Sequence, residues 1–353
     1  MLANNHKYLG KIISDLNDIN KILEDVRLYP SPHNSQPIRV KIIDDLHLEI
    51  YYDKHYGLPA ESFGAQFGYV CTGIFLYSLG VVAGHYGYGT KEEMLLSEMD
   101  FTIDTRLHLM AKIELSKLES PQNPELYGSF LKRQTSRIPY DNKLVDETAI
   151  QEAKQIAIKY GQLLNVESDA TVVSKIIDIN QKTLFLDMEN DAVYNELMEW
   201  LRFSEAESMT KADGLSAKTM LINGSVLKFF MKHRALWNMP VIGKLVKKIY
   251  LNTMRGVRQV AWLTGPFENY QDYINSGKCF MEVWLCLTKH NVHLHPYGTV
   301  ITNSQSHKAF VELVSEKEDG AMAWMLFRLG YSDVPPKSYR RPLDRMIINE
   351  DSK

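Results

Sequence analysis

Cysteine is scarce in this chain: only Cys71, Cys279 and Cys286 occur among 353 residues, and none belongs to a CxxC pair. A disulfide-stabilised scaffold or a cysteine-rich zinc domain needs more thiols at closer spacing, so both classes are excluded. Scattered thiols are typical of a reducing compartment. We therefore expect a cytoplasmic protein.

A surplus of one charge is also missing, because 40 Lys and Arg face 43 Asp and Glu, which gives a net charge of −3. The basic residues form no long run, and nucleic-acid binding needs a basic footprint. We therefore expect no nucleic-acid partner. The composition, 45% hydrophobic and 24% charged, is that of a globular protein with a sizeable core.

The sequence shows no apolar signal segment near its start, which reads MLANNHKYLGKIISDLND. Residues 65–84 carry no charge over twenty positions, the length of a membrane span. A helix buried on all sides in a large core would look the same. We favour the buried helix, because Gln66, two tyrosines and four glycines make the segment only moderately apolar. No membrane partner is expected.

Several nucleotide-binding and catalytic motifs are absent. The chain has no GxGxxG, no P-loop, no GxSxG and no HExxH, and the glycines of the run 85–89 have the wrong spacing. A nucleotide cofactor would have to be held in another way.

Hydrophobic periodicity predicts an α+β fold with few strands and many helices. In the first part it predicts a helix over 8–27, a hairpin from 38–42 and 46–50, a helix over 64–84 and a strand over 107–115. After Arg133 the pattern partly restarts. There it predicts helices over 144–164, 269–290 and 304–315, and strands over 259–265, 293–302 and 322–329.

Segment 203–258 mixes basic residues with apolar ones. Its composition fits two descriptions, a helical lid inserted over a site or a peripheral pair of amphipathic helices. The residues concerned are Lys211, Lys228, Phe229, Phe230, Met231, Lys232, His233, Arg234 and Trp237.

A polar turn stiffened by prolines lies between the first helix and the first strand. Ser31, His33, Asn34 and Gln36 crowd hydrogen-bonding groups between Pro30 and Pro37. Such a loop can present donors and acceptors to a planar heterocycle with little loss of entropy. A tight helix-to-strand connection uses the same residue types, so both interpretations stand.

Two basic clusters suit a phosphate. Arg133, Thr135 and Arg137 alternate, so an extended backbone places them on one side, and a guanidinium donates bidentately to phosphate. Arg340 and Arg341 lie in the run 337–343 after an apolar strand and form a possible second clamp. Solvated basic stretches would look the same.

Three histidines, His290, His293 and His295, raise the alternative of a zinc-dependent hydrolase. Zinc needs three or four converging ligands, and no carboxylate or cysteine stands at matching spacing. We expect no metal.

Taken together, these segments resemble the nitroreductase-like family of FMN flavoproteins. Pro30–Pro37 matches the family's P-S-x-x-N-x-Q-P loop, with Ile38 in place of its tryptophan. Arg133, Thr135 and Arg137 match its R-x-S/T-x-R/K phosphate motif. The run 338–341 resembles its C-terminal basic clamp. Tyr297 and Gly298 resemble the segment whose backbone faces the flavin N5.

The order of the motifs departs from the usual family pattern, because here the serine-asparagine loop precedes the arginines. The order resembles an Acg-like subgroup, a fused pseudo-dimer with one flavin per chain. The run 199–202 followed by Asp213 and Gly214 also resembles it. The resemblance implies an N-terminal half over 1–125 and a C-terminal half over 126–353, as a monomer or a homodimer.

The resemblance also implies a nitroreductase-like α+β fold with mixed or antiparallel sheets, and FMN as cofactor. Arg133, Thr135 and one or both of Arg340 and Arg341 would hold the phosphate. Arg137 would lie near N1 and O2 of the reduced ring, Ser31 and Asn34 at the ring edge or ribityl chain, and the Gly298 amide at N5. No side-chain general acid is implied.

The implied function is an oxidoreductase that transfers hydride from NAD(P)H through FMN to a nitro compound, a quinone or a specialised metabolite. The alternative is a non-enzymatic protein that binds and sequesters FMN. A closed lid over 203–258 would favour sequestration, and an open groove would favour turnover.

Overall fold

The computed structural model of the chain describes residues 18–60, 63–103, 105–315 and 321–348. The predicted first helix lies partly outside these residues. Its described part, 18–26, is helical (α1) and buries Ile19, Ile22, Leu23 and Val26 at helical spacing.

After α1 the first half contains β1 (Ile38–Ile42), β2 (His47–Asp53), α2 (Gly64–His85), β3 (Tyr88–Met94) and β4 (Leu107–Lys117). The four strands form one antiparallel sheet in the order β1-β2-β4-β3. Alternation explains the hairpin, because Leu48 and Ile50 are buried while their neighbours in sequence face outward.

The second half begins after α3 (Pro124–Lys132). Its elements are α4 (Glu147–Lys159), β5 (Leu163–Glu167), α5 (Ala170–Glu189), α6 (Asp191–Trp200), β6 (Leu201–Arg202), α7 (Glu205–Lys211), β7 (Leu215–Ser216), α8 (Gly224–Lys232), α9 (Pro240–Asn252), β8 (Gln259–Gly265), α10 (Tyr270–Lys289), β9 (His293–Pro296), α11 (Gly298–Thr302), α12 (Ser304–Val314) and β10 (Met322–Gly330).

The second sheet repeats the topology of the first. Its strand order is β5-β8-β10-β9, and every pairing is antiparallel. In each half a helix precedes the first strand, a long helix separates the second strand from the third, and the fourth strand lies between the second and the third. The halves differ mainly in what joins their first two strands.

In the first half β1 and β2 form a hairpin, whereas in the second half α5 to α9 lie between β5 and β8. This insertion has its own small core, which draws on α5, α8 and α9 and includes Met188, Leu201, Ala217, Leu227, Met231, Trp237 and Val246. The predicted lid, 203–258, is the second part of this insertion, and the first part is α5 and α6.

The uncharged segment of the sequence is a core helix. Helix α2 packs along α10 at the centre of the protein, and 83% of its most apolar 18-residue window is buried. The charge-free sequence is explained by this burial, because charged side chains are almost never fully buried unless they are paired.

The α+β class is confirmed, and most predicted elements are present. Two predictions were wrong at their ends: the helix over 144–164 ends at Lys159 and gives way to β5, and the strand over 293–302 ends at Pro296 and gives way to α11. Strand β3 was not predicted. The strands missed or misplaced, β3, β5 and β9, all lie at sheet edges. One-sided pairing leaves an edge strand partly solvated, which weakens its hydrophobic signal.

Candidate functional site

A cavity of about 540 Å³ lies where the two halves and the insertion meet. Four separate segments form one side of it: the turn near residue 31, the stretch after α3, the start of α11 and the tail near residue 340. Nine of the predicted site residues line it, namely Ser31, His33, Asn34, Arg133, Thr135, Arg137, Tyr297, Gly298 and Arg340.

The polar turn is held in an unusual backbone conformation. His33, Asn34 and Gln36 all have left-handed φ angles, of 48°, 56° and 53°. Asparagine and histidine occur in this region more often than other residues, but glutamine does not, and a left-handed residue costs about 1–2 kcal/mol. Ser31 Oγ supports the turn by accepting a hydrogen bond from the Gln36 amide at 2.9 Å. Stored backbone strain of this kind clusters at functional sites.

Asn34 ties three parts of the chain together. Its amide nitrogen donates to the Gly214 carbonyl at 3.2 Å and to the Tyr339 carbonyl at 3.1 Å. Its side-chain oxygen accepts a hydrogen bond from the Arg340 guanidinium. The predicted loop, the base of the insertion and the C-terminal segment therefore meet at this one buried side chain.

Three guanidinium groups face the cavity without a carboxylate partner among the described residues. Burial lowers the pKa of Arg133 to about 9, with repulsion from Arg340 as the second cause. Burial also lowers the pKa of Arg137 to about 10, with repulsion from Arg328 as the second cause. The pKa of Arg340 falls to about 10, mainly through burial. All three remain cationic at neutral pH, so the cavity concentrates positive charge.

Each guanidinium is held differently. Arg133 lies over the Trp284 ring at 4.5 Å and donates to the Leu28 carbonyl at 3.1 Å. Arg340 is oriented by Asn34. Arg137 makes no hydrogen bond or ion pair with any residue that the structure describes, so its full donor capacity faces the cavity.

Several buried polar atoms on residues around the cavity have no hydrogen-bond partner within the described ranges of the chain. They are Nε of Arg133, Nε of Arg340, Oε1 of Gln134 and Nδ1 of His295. Buried polar groups are nearly always hydrogen-bonded, so convergent unpartnered atoms indicate a missing polar ligand. Two guanidinium donors among them suit an anion, and a phosphate ester fits this donor set.

Thr135 and Gly298 complete this wall. Thr135 forms an isolated bridge with Leu294 beside β9, and the Ser136 amide donates to the Leu294 carbonyl at 3.0 Å. A Cβ built on Gly298 would meet nothing within 4 Å, so its backbone borders open space. Tyr297 is buried beside it and donates to Met254 Sδ at 3.2 Å.

Two predicted site residues, Gln36 and Arg341, do not line the cavity. Gln36 Oε1 accepts from the Arg341 amide at 2.9 Å, and the Arg341 guanidinium donates to the Ser35 carbonyl and pairs with Asp213. Asp213 also binds Arg202, which gives a buried Arg–Asp–Arg triad. Both residues support the loop on the side away from the cavity. Of the two adjacent arginines in the tail, Arg340 is the one that lines the cavity.

Sequence reasoning missed part of the lining. Gln134 and Trp284 line the cavity, as do Asn180, Asp187 and Tyr250 from the insertion. Gln134 sits inside the predicted arginine motif, so its position was a usable signal. The others come from helices whose sequence shows only amphipathic spacing, which does not distinguish a cavity wall from ordinary packing.

The opposite wall comes from the insertion and is mostly apolar. Met220, Leu227, Phe230, Met231 and Trp237 line the cavity alongside side chains of α5 and α6. Residues of the segment over 203–258 therefore form part of the cavity wall, while the outer face of its helices is exposed. The lid and the peripheral pair of helices both stay predictions.

Comparisons with known proteins give matches among solved structures alone. No protein-family model and no curated protein matches the chain. Among solved structures, the chain is similar to the FMN-dependent nitroreductase NfnB of Mycobacterium smegmatis in complex with NADPH. The two share 13% identity with a TM-score of 0.40, and the match covers 63% of this chain and 96% of that chain.

Two further similar structures are a nitroreductase with bound FMN from Desulfitobacterium hafniense and an oxidised iodotyrosine deiodinase bound to FMN and 3-iodo-L-tyrosine. The first has 9% identity and a TM-score of 0.39, and the match covers 65% of this chain and 99% of that chain. The second has 12% identity and a TM-score of 0.39, and the match covers 62% of this chain and 95% of that chain. At these values the function has to be argued from the cavity itself.

The three histidines of the zinc alternative do not come together as one ligand set. His295 lines the cavity, and its pKa lies well below the usual range because of burial and the nearby charges of Arg137 and Arg328. His290 instead contacts Glu152 on α4 at 3.0 Å, near Cys286. The Lys289 ammonium also lies 3.6 Å from Glu152, so a lysine competes for the same carboxylate.

Proposed function

We propose that the cavity binds one FMN and that the protein is an FMN-dependent oxidoreductase. The observation that carries the proposal is the set of unpartnered buried donors on Arg133 and Arg340 beside a mainly apolar chamber. A ligand with an anionic phosphate and a flat, largely apolar ring matches both parts. FMN is such a ligand, and the sequence motifs resemble those that hold it in nitroreductase-like proteins.

The residues divide into a phosphate end and a ring end. Arg133, Thr135 and Arg340 would hold the phosphate, because a guanidinium donates bidentately to phosphate oxygens. Arg137 would supply positive charge near N1 and O2 of the ring. Ser31 and the Gly298 amide would reach the ring edge. Asn34 is already hydrogen-bonded on both sides, so we assign it to positioning Arg340 and not to direct contact.

When bound, FMN supplies the redox chemistry, and the protein contributes position, charge and exclusion of water. Arg137 would place a cation near the ring where negative charge develops, which is the electrostatic contribution that such sites make. The apolar side chains of the insertion would limit the access of water. His33 and His295 are held neutral by burial and by Arg137, so neither is a proton donor at neutral pH.

We propose NADPH or NADH as the reductant and a nitro compound, quinone or related small molecule as the acceptor. Purified protein should be yellow, and anaerobic mixing with NADPH or NADH should bleach the flavin absorbance within a single turnover. A yellow protein that neither nicotinamide reduces would contradict turnover. A colourless protein that takes up no added FMN would contradict the cofactor assignment itself.

Sequestration of FMN is the second candidate function. It is favoured by one observation, the lid side chains Met220, Phe230 and Met231 that line the cavity. The two functions differ in flavin exchange. A sequestering protein should retain FMN through extended dialysis and shield it from NADPH, whereas an oxidoreductase should be reduced rapidly.

We propose further that the chain is a fused pseudo-dimer. The support is the repeated strand order of the two sheets and the pairing of α2 with α10 at their junction. The proposal expects one FMN per chain in a monomer. A flavin-to-protein ratio of two, from absorbance after quantitative loading, would refute it.

A further inference from the structure

The outer surface of the insertion combines exposed apolar side chains with positive charge. Seven of the fifteen exposed large hydrophobic residues in the described part of the chain lie within 203–258. They are Met209, Leu221, Val226, Phe229, Met239, Val241 and Leu245, with Val241 81% exposed. Exposed apolar side chains that cluster on a surface mark interaction sites, and four of these seven lie on α8 and α9.

The later part of this region has no acidic residue in its own sequence. Between Gly214 and Phe267 the sequence contains nine lysines and arginines and no aspartate or glutamate, in a chain whose net charge is −3. Four of the lysines, Lys228, Lys232, Lys244 and Lys248, pair with no carboxylate that the structure describes. The partner that this surface suits is therefore anionic.

The two kinds of side chain are arranged in adjoining stripes on each helix. On α8, Val226 and Phe229 share an exposed face with Lys228 and Lys232, while Leu227 is buried. Residues three and four apart lie on one face of a helix, so the apolar pair runs alongside the lysine pair.

Helix α9 repeats the arrangement. Val241 and Leu245 form one exposed stripe, and Lys244 and Lys248 form the next. Both helices bury their opposite faces in the core of the insertion, through Leu227 and Met231 on α8 and Val246 on α9. Their exposed faces therefore point away from the cavity, which lies on the other side of the same helices.

We propose that this surface, formed by α8 and α9 and called here the lid face, docks on an anionic lipid bilayer. Apolar side chains flanked by lysines are the composition of helices that lie in the interface of a membrane, with the apolar stripe among the acyl chains and the lysines at the headgroups. The contact is peripheral. It differs from a spanning helix, which the burial of α2 in the core argues against.

Two other partners fit the lid face less well. A second copy of the same face would bring like-charged lysines together without a carboxylate to neutralise them. Nucleic acid would match the lysines, but it would leave the aliphatic side chains of Val226, Val241 and Leu245 without a partner. A bilayer with anionic headgroups offers a partner to both kinds of side chain, the acyl chains to the apolar stripes and the headgroups to the lysines.

The test is flotation of the full-length FMN-loaded protein with vesicles of 70% phosphatidylcholine and 30% phosphatidylserine, against vesicles of phosphatidylcholine alone. Binding to the anionic vesicles should weaken as salt is raised. Replacing Lys228→Gln and Lys232→Gln together should lower binding roughly thirtyfold, because each lysine near an anionic surface is worth about fivefold. The control pair Lys112→Gln and Lys132→Gln, exposed elsewhere, should leave binding unchanged.

A second variant pair tests the apolar stripe. Phe229→Ser with Val241→Ser should lower binding about tenfold or more, since each residue would bury apolar surface in the bilayer. Ile158→Ser, at a site on α4 that is 54% exposed, is the matched control. FMN content and the thermal midpoint report whether each variant still folds, and the variants should match the parent in both.

Three outcomes would overturn the proposal. The first is the absence of binding to the anionic vesicles. The second is binding that the lid-face variants and their controls reduce equally. The third is a lid face that supports self-association by sedimentation, or binding to an oligonucleotide, without vesicle binding. None of these depends on whether the protein turns over NADPH.

Discussion

Gly73 on α2 and Gly277 on α10 occupy reciprocal positions at the junction of the two halves. A Cβ built on Gly73 would lie 2.1 Å from the Ile274 carbonyl oxygen, and one built on Gly277 would lie 2.0 Å from the Val70 carbonyl oxygen. Each helix thus presents a glycine to the backbone of the other. Only glycine permits so close an approach, and the two close contacts are reciprocal.

Replacing Gly277→Ala should destabilise the protein by roughly 1–3 kcal/mol, because the added methyl overlaps a backbone atom and forces the two helices apart. Chemical denaturation measures the change in the free energy of unfolding. The control is Gly128→Ala in α3, where an added Cβ meets nothing within 4 Å. That variant should gain about 0.5–1 kcal/mol from helix propensity. An equal change in the free energy of unfolding for the two variants would refute the close approach of α2 and α10.

Replacing Arg133→Ala should weaken FMN binding about ten- to hundredfold, because it removes a charge-assisted contact worth roughly 1.5–3 kcal/mol. Quenching of flavin fluorescence on titration into apoprotein measures the affinity. Lys132→Ala, which removes the neighbouring exposed lysine, should leave the affinity unchanged. Full FMN affinity in the Arg133 variant would exclude that residue from the phosphate site.

Replacing Asp213→Asn should destabilise the protein by about 3–5 kcal/mol, because it leaves the buried guanidinium groups of Arg202 and Arg341 without their counter-charge. Urea denaturation provides the measurement. Asp333→Asn, at an exposed position, should stay within about 0.5 kcal/mol of the parent. FMN affinity should fall as well, because Arg341 supports the loop that carries Ser31. A loss of stability with unchanged affinity would show that the triad does not position this loop.

Stability should fall as the pH falls from about 6.5 towards 4. Burial and the charge of Arg137 lower the pKa of His33 from 6.5 to about 4 in the folded protein. The unfolded chain therefore binds more protons than the folded chain between these values, and protonation favours unfolding there. Above pH 6.5 both states are neutral and this contribution is constant.

The variant His33→Asn should reduce this dependence without abolishing it, because burial also lowers the pKa of His295. Asparagine tolerates the left-handed φ at the position. Unfolding by urea at pH 7.5, 6.0 and 5.0 gives the comparison. His55→Asn changes an exposed histidine and should leave the pH profile of the parent intact. A His33 variant with the full acid sensitivity of the parent would refute the buried environment proposed for this side chain.

Short-range patterns of the sequence predicted much of this molecule. Hydrophobic periodicity predicts the α+β class. It also predicts both long core helices, the first hairpin and strands β8 and β10, because each of these elements buries one or two whole faces. Arg133, Thr135 and Arg137 alternate in sequence, and all three line the cavity. In an extended stretch the local backbone alone places alternate side chains on the same side.

The sequence by itself therefore determined the element types and the polar segments that could serve a phosphate-bearing cofactor. The tertiary structure decided which of those side chains share a cavity. Arg340 meets Asn34 across 306 positions, whereas its neighbour Arg341 turns away to Asp213. Adjacent residues in an extended tail point to opposite sides, and which side faces the cavity is set by packing between distant segments, which no local pattern encodes.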